Sequence, residues 1–153
     1  MADNPISILH RLRASSGPKE TVGLSDDVIR DFCDSDAELV QAIREAGAMH
    51  ATLLEEFGQD IMSLPEPELI KHLQSDYVNF YSAATVNPYI PIAGRGPWLV
   101  TACGAVLHDN GGYGMLGSGH GPSSIIDAMS ENWVMANVMT PSFSQKRLGD
   151  RLR

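Results

Sequence analysis

Apolar residues recur at helical spacing through the first half of the chain. The strongest run covers 36–57, where Leu39, Ile43, Ala46, Leu53 and Phe57 fall close to one face and Val40 and Leu54 widen it. His50 lies on the same stripe, a position that suits a histidine at the edge of a core. Ser35-Asp-Ala-Glu38 reads as a capping box at the start of this helix, and Gly58 as its stop. Asn4-Pro5 predicts an earlier helix to about Arg13, with proline at the first helical position. Residues 14–24 have linker composition, and Ser25-Asp26-Asp27 reads as the next cap, its acids placed against the helix dipole. Ser63-Leu-Pro-Glu66 is a further capping box, predicting a helix from about Glu66 to Gln74.

The pattern changes after residue 76. Tyr77, Val78, Phe80 and Tyr81 suit an extended segment, and Pro88 and Pro91 exclude a helix there. Trp98-Leu-Val-Thr and Ala105-Val-Leu-His predict two short strands turning at Cys103-Gly104. Nine of the fourteen glycines fall between Gly94 and Pro122, a density that predicts tight turns and backbone-lined surface. From Pro122 a helix returns, with Ile125, Met129, Trp133 and Ala136 on one face, and Thr140-Pro141 ends it. A last helix starts at Ser142 or Ser144 and carries Leu148 and Leu152 at i, i+4. Its stripe still runs at Arg153, so the sequence is expected to continue. The fold class expected for these residues is α+β. A helical region, 1–76, precedes a second region, 77–153, that begins with strands.

Composition changes this picture little. The chain has 153 residues, 43% hydrophobic and 20% charged, enough for one core-bearing domain. A net charge of -8 argues against nucleic acid or an anionic membrane as partner, since both reward basic surface. Two distant cysteines, Cys33 and Cys103, predict neither a disulfide framework nor a zinc site. No apolar run approaches the roughly 18 residues of a membrane span, and a soluble cytoplasmic protein is expected.

Candidate chemistry centres on the glycine-dense stretch. Gly112-Tyr-Gly114-Met-Leu-Gly117 matches GxGxxG, but two more glycines and a proline intervene before the next helix. His108-Asp109 and His120 have the residue types of a catalytic triad, yet Ser118, Ser123 and Ser124 sit in no GxSxG elbow. Hydrogen bonding of the Asp109 and His120 side chains to turn backbone is the plainer expectation. The five histidines show no metal-ligand spacing, so no metal site is expected.

The order of features in the second half resembles the N-terminal part of class III pyridoxal-phosphate aminotransferases. The pieces are Gly96-Pro97-Trp98-Leu99, a hairpin turning at Gly104, Asp109, Gly112-Tyr113, and Gly119-His120-Gly121-Pro122. Thr140-Pro-Ser142-Phe143 follows, then Arg147-Leu148 and Arg151-Leu152. Thr101 stands where the family usually has an acid, the family's GH-x-HP is shortened to GHGP, and Asn110 replaces an aromatic residue. The resemblance implies the beginning of a fold-type I α/β transferase and a homodimer. It also implies transfer of an amino group from an amino acid or amine to an oxo acid. It places Tyr113 and Tyr89 against the substrate, and Gly112, Gly119, His120, Ser142 and Phe143 near the cofactor or dimer interface. Pyridoxal 5'-phosphate is the implied cofactor, but its lysine and phosphate cup have no counterpart here. Lys19, Lys71 and Lys146 lie in a linker and on two helices, so this chain alone is expected to be inactive. Two other readings stay open: a nucleotide-binding domain using the GxGxxG loop, and a non-catalytic helical interaction module built on 36–57.

Overall fold

The computed structural model describes residues 4–76, 89–110, 117–132 and 141–153. Among these the fold is α+β, with seven helices and a three-stranded antiparallel sheet. Helix α1, Pro5–Ser15, starts where expected: the Asn4 side chain accepts from the Ile6 amide at 3.0 Å, and Pro5 needs no partner for a missing N–H. Helix α2, Asp26–Cys33, has Ser25 as its cap.

Helix α3, Ala37–Phe57, begins one residue later than its predicted capping box implies. Asp36, not Ser35, is the cap: its Oδ1 accepts from the amides of Glu38 and Leu39 at 2.9 and 3.2 Å. The Ser35 hydroxyl turns back to the Phe32 carbonyl. A carboxylate in this position also meets the positive end of the helix dipole, which a hydroxyl does not match. Burial along α3 runs through Leu39, Ala42, Ile43, Ala46 and His50 and then stops, leaving Phe57 42% exposed. The predicted stripe is therefore right in direction and too long. Gly58 ends the helix, its amide bonding to the Leu54 carbonyl.

The short helix α4, Gln59–Met62, and helix α5, Glu66–Gln74, follow. The capping box predicted at Ser63 does not form, because the cap position is Pro65 and the Ser63 hydroxyl bonds to Gln59 O at 2.6 Å. Glu66 has another task. Only 2% exposed, its carboxylate accepts from the amides of Glu20 and Thr21 at 2.7 and 2.8 Å and from the Thr21 hydroxyl at 2.8 Å. Its own amide donates to Pro18 O at 2.9 Å. Residues 16–24, a linker by composition, are thus a fixed strap. Ser16 Oγ lies 2.8 Å from Ala102 O, and the Leu24 amide donates to Val106 O at 2.9 Å.

The sheet runs β1 (Pro91–Arg95), β2 (Trp98–Thr101) and β3 (Val106–His108) in sequence order. Strand β2 pairs Gly94 with Leu99 on one side and Val106 with Val100 on the other. The hairpin predicted between β2 and β3 is present, with Gly104 at φ 73° and its amide on Thr101 O. Strand β1 was not predicted, because its proline and glycine disguise it. Pro91 is tolerated as the first residue of an edge strand, which owes no ladder hydrogen bond there. The register shifts between Pro91 and Ala93. The extended segment expected at Tyr77–Tyr81 lies outside the described residues.

One core joins the helices to the sheet. Leu9, Leu12, Ile29, Leu39, Ile43 and Ala46 pack with Trp98, Val100 and Val106. The helices before residue 77 and the strands after it therefore share a single compact unit, Met1–Pro122. The second unit, Ser123–Arg153, contains α6, Ser123–Ser130, and α7, Phe143–Arg151. Ser142 caps α7 through the Gln145 amide. On α6, Ile125 and Met129 are exposed, and the rest of the predicted stripe, Trp133 and Ala136, lies outside the described residues. Among the described residues no helix is long and apolar enough to cross a membrane.

Removing the Glu66 carboxylate strands three donors under the strap. Glu66→Ala is expected to lower unfolding free energy by on the order of 3 kcal/mol. Glu66→Gln, which keeps an acceptor for some of these donors, is expected to cost less. Urea denaturation of the two variants checks both the size and the order.

Candidate functional site

The residues with chemical potential gather where the glycine-dense stretch folds back onto the sheet. Gly96 lies between β1 and β2, and His120 pairs with it as a two-residue bridge. The Gly96 amide donates to His120 O at 3.0 Å and the His120 amide to Gly96 O at 2.7 Å. Glycine suits both sides of this approach. A Cβ on Gly119, at φ 74°, would fall 2.8 Å from Gly96 Cα, and Gly96 itself holds φ 50°, a conformation that other residues rarely adopt.

Two side-chain contacts hold the fold-back. His120 Nε2 lies 2.9 Å from Asp109 Oδ2, with both side chains mostly buried. An ionised carboxylate only accepts, so Nε2 carries the hydrogen. The Asp109 amide in turn donates to Pro97 O at 2.7 Å. From β1, Arg95 donates Nη1–H to Gly121 O at 2.6 Å and grips Glu45 of α3 through Nε and Nη2. The Arg95 hydrogen bonds hold the Glu45 carboxyl below its ordinary range, against a smaller upward push from burial and with help from Gln41. Farther down the strand, Trp98 Nε1 donates to Asp36 Oδ2 at 2.8 Å, and its ring meets Phe32 and His108 edge-on.

Between α3, the β1–β2 corner and the fold-back lies a cleft of about 470 Å³. Glu38, Pro97, Asp109, Asn110, Ser118 and His120 line it, together with glycine backbone. The two carboxylates make it rich in acceptors, which suits a ligand that donates hydrogen bonds. Asp109 and His120 form an imidazole–carboxylate pair of the kind that orients a base. Among the described residues no serine hydroxyl bonds to His120, so no hydrogen-bonded triad is assembled there, although Ser118 lines the same cleft. Ser123 and Ser124 belong to the second unit.

Of the site residues expected from the sequence, Gly119 and His120 come together at this cleft. Tyr89 precedes β1 and is not among the described residues that line it. Ser142 and Phe143 belong to the second unit, where Ser142 caps α7 and Phe143 is 86% exposed. Gly112 and Tyr113 lie outside the described residues. Glu38, Glu45 and Arg95 were not anticipated. The Arg95–Glu45 pair spans 50 residues of sequence, and no local pattern announces such a contact.

His50 is 6% exposed, with its Nε2 3.2 Å from Ser16 Oγ, and burial lowers its pKa. Neither cysteine is an activated nucleophile. Burial, with Glu66 nearby, pushes the Cys103 thiol up to about 11, and burial also raises Cys33. Among the described residues no group of three or more His, Cys, Asp or Glu side chains is placed to hold a metal ion. No protein-family model, curated protein or solved structure matches the chain.

The Glu45–Arg95 grip gives the fold-back a pH dependence. A carboxyl whose folded pKa is depressed stabilises the fold above its unfolded value, about 4.3. That contribution is lost as pH falls through the lower folded value. Both side chains are about a third exposed, so the effect is modest. The stability difference between the parent and Glu45→Gln is expected to be largest above about pH 5 and to shrink on acidification. Denaturant midpoints measured across that range test this, and a difference independent of pH would contradict it.

Proposed function

We propose that the chain forms the N-terminal part of a class III pyridoxal-phosphate aminotransferase, which moves an amino group from an amino acid or amine to an oxo acid. One observation carries the reading. The Gly96-Pro97-Trp98 corner, the hairpin's exit at Asp109 and the Gly119-His120 pair meet around one cleft. These are three of the pieces on which the family resemblance rests, and in sequence they are separated by a strand, a turn and a loop. Their convergence supports treating them as one substrate-side wall. The acceptor-rich lining is consistent with a substrate that brings an amine.

The described residues do not fit the cofactor itself. A lysine that condenses with an aldehyde must be desolvated and uncharged beside the pocket. Lys19 instead donates to the carbonyls of Thr21 and Val22, Lys146 pairs with Asp150, and Lys71 lies on the exposed side of α5. None lines the cleft. On this reading the reactive lysine and the phosphate-binding residues belong to a part of the enzyme outside these 153 residues. The contribution of the chain is then the wall; the resemblance puts Tyr113 towards the substrate, and also Tyr89, which does not line this cleft. Ser142 and Phe143 would lie towards the cofactor or a second subunit, and the exposure of Phe143 is consistent with a covered role in a homodimer.

Incubation with pyridoxal phosphate, borohydride reduction and peptide mapping test the assignment. The 153-residue chain is expected to carry no stoichiometric label on Lys19, Lys71 or Lys146. A longer protein that contains it is expected to be labelled at a single lysine elsewhere. Stoichiometric labelling within the chain, or none in the longer protein, would overturn the proposal. In that longer protein, Tyr113→Ala is expected to change the kcat/KM ratio between two amino donors by about tenfold. Cofactor affinity should stay unchanged, and equal loss of both would remove Tyr113 from the substrate wall.

A further inference from the structure

A second cleft, of about 510 Å³, lies between α1 and α3, farther along α3 than the first. That volume is within the usual range for small-molecule sites. Its lining divides by chemistry. Ile8, Leu12 and Leu54 supply apolar surface, Arg11 and Arg44 guanidinium groups, and His50 a buried ring.

The state of His50 follows from its neighbour. Ser16 Oγ lies 2.8 Å from both Leu12 O and Ala102 O, two acceptors for its single hydrogen. Towards His50 it can therefore only accept, so Nε2 carries the ring hydrogen and Nδ1 a bare lone pair. Nδ1 makes no hydrogen bond to a described residue. Among the described residues no fully buried side-chain nitrogen or oxygen lacks a partner, so Nδ1 keeps accessible surface, and His50 lines the cleft. Burial favours the neutral ring and keeps this lone pair available at neutral pH. Arg44 is the complementary group. It is exposed, lines the same cleft, and makes no hydrogen bond or ion pair with the described residues.

We propose that the α1–α3 cleft binds a small hydroxy-carboxylate. Its carboxylate pairs with Arg44, its hydroxyl donates to His50 Nδ1, and its apolar body rests on Ile8, Leu12 and Leu54. An arginine fork recognises a carboxylate, whereas a neutral imidazole lone pair needs a donor, which a plain carboxylate lacks. The two requirements together select a ligand carrying both groups. The site uses none of the residues assigned to the first cleft, so it stands or falls independently of the aminotransferase reading.

Mandelate is a suitable probe, with phenylacetate as its counterpart lacking the hydroxyl. Titration of the 153-residue chain, followed by calorimetry and by the NMR signals of the histidine ring nitrogens, reads both contacts. Mandelate is expected to bind saturably, with Kd on the order of 1 mM, and to move the His50 Nδ1 signal. Phenylacetate is expected to bind more weakly and leave that signal in place. Arg44→Ala removes an exposed side chain, leaves the fold intact by circular dichroism, and is expected to weaken mandelate about tenfold or more. No saturable binding, an unmoved His50 signal at saturation, equal binding of the two probes, or unchanged affinity in Arg44→Ala would each overturn the proposal.

Discussion

The first compact unit depends on one carboxylate that serves two partners. Asp36 Oδ1 caps α3, and Asp36 Oδ2 accepts the indole hydrogen of Trp98. Trp98 is 1% exposed and occupies the centre of the shared core. Its ring is too large to bury without a partner for its N–H, and the helix start supplies that partner. The helix is therefore fixed in register against β2 by a directional bond as well as by apolar contact. A hydroxyl at the cap could satisfy the helix but has no second oxygen for the indole. This double demand explains why the cap falls on Asp36 rather than on the neighbouring serine.

The same economy recurs elsewhere in this acidic chain. Glu66 holds the 16–24 strap, Glu45 holds Arg95, and Asp109 holds His120. Asp26 joins α1 to α2 through Arg13 and His10. Burial there pushes its pKa up, and those two partners more than offset it, leaving the group lowered. Each of these carboxylates links segments that lie apart in sequence. Carboxylates that look from sequence like caps or solvated faces thus do much of the long-range tying, while apolar contact supplies the bulk of the stability.

What the sequence disclosed follows from this division. Cap residues located the starts of α1 and α2, apolar periodicity located α3, and the β2–β3 hairpin was legible because Gly104 sits between two apolar runs. Local patterns failed wherever a residue answered to a distant partner. Ser63 and Glu66 match a capping box, but Glu66 bonds to a strap 45 and 46 residues away, and the helix starts at a proline instead. Strand β1 escaped notice because its edge position tolerates the proline that disguises it. At the site, His120 and Asp109 were visible as residue types, but they were expected to bond turn backbone, and the side chains bond to each other instead. Arg95 and Glu38, which complete the surroundings, became visible only once α3 was packed against the corner.

The two clefts differ in the kind of ligand chemistry that their lining can satisfy. The first is bounded by carboxylates and glycine backbone, and its one imidazole is already committed through Nε2 to Asp109. Its acceptors outnumber its donors, so it favours a ligand with hydrogens to give. Among the described residues, the second pairs an arginine without an acceptor with an imidazole lone pair without a donor. It favours a ligand that both carries negative charge and donates. Helix α3 lines both clefts, Glu38 facing the first and Arg44 the second. Its two ends of chemistry are held apart by the buried stripe that packs on the sheet. A shift of α3 along its axis would have to move Asp36 against the buried Trp98 indole and so break a hydrogen bond inside the core. That cost opposes a sliding of the helix that would link the two clefts.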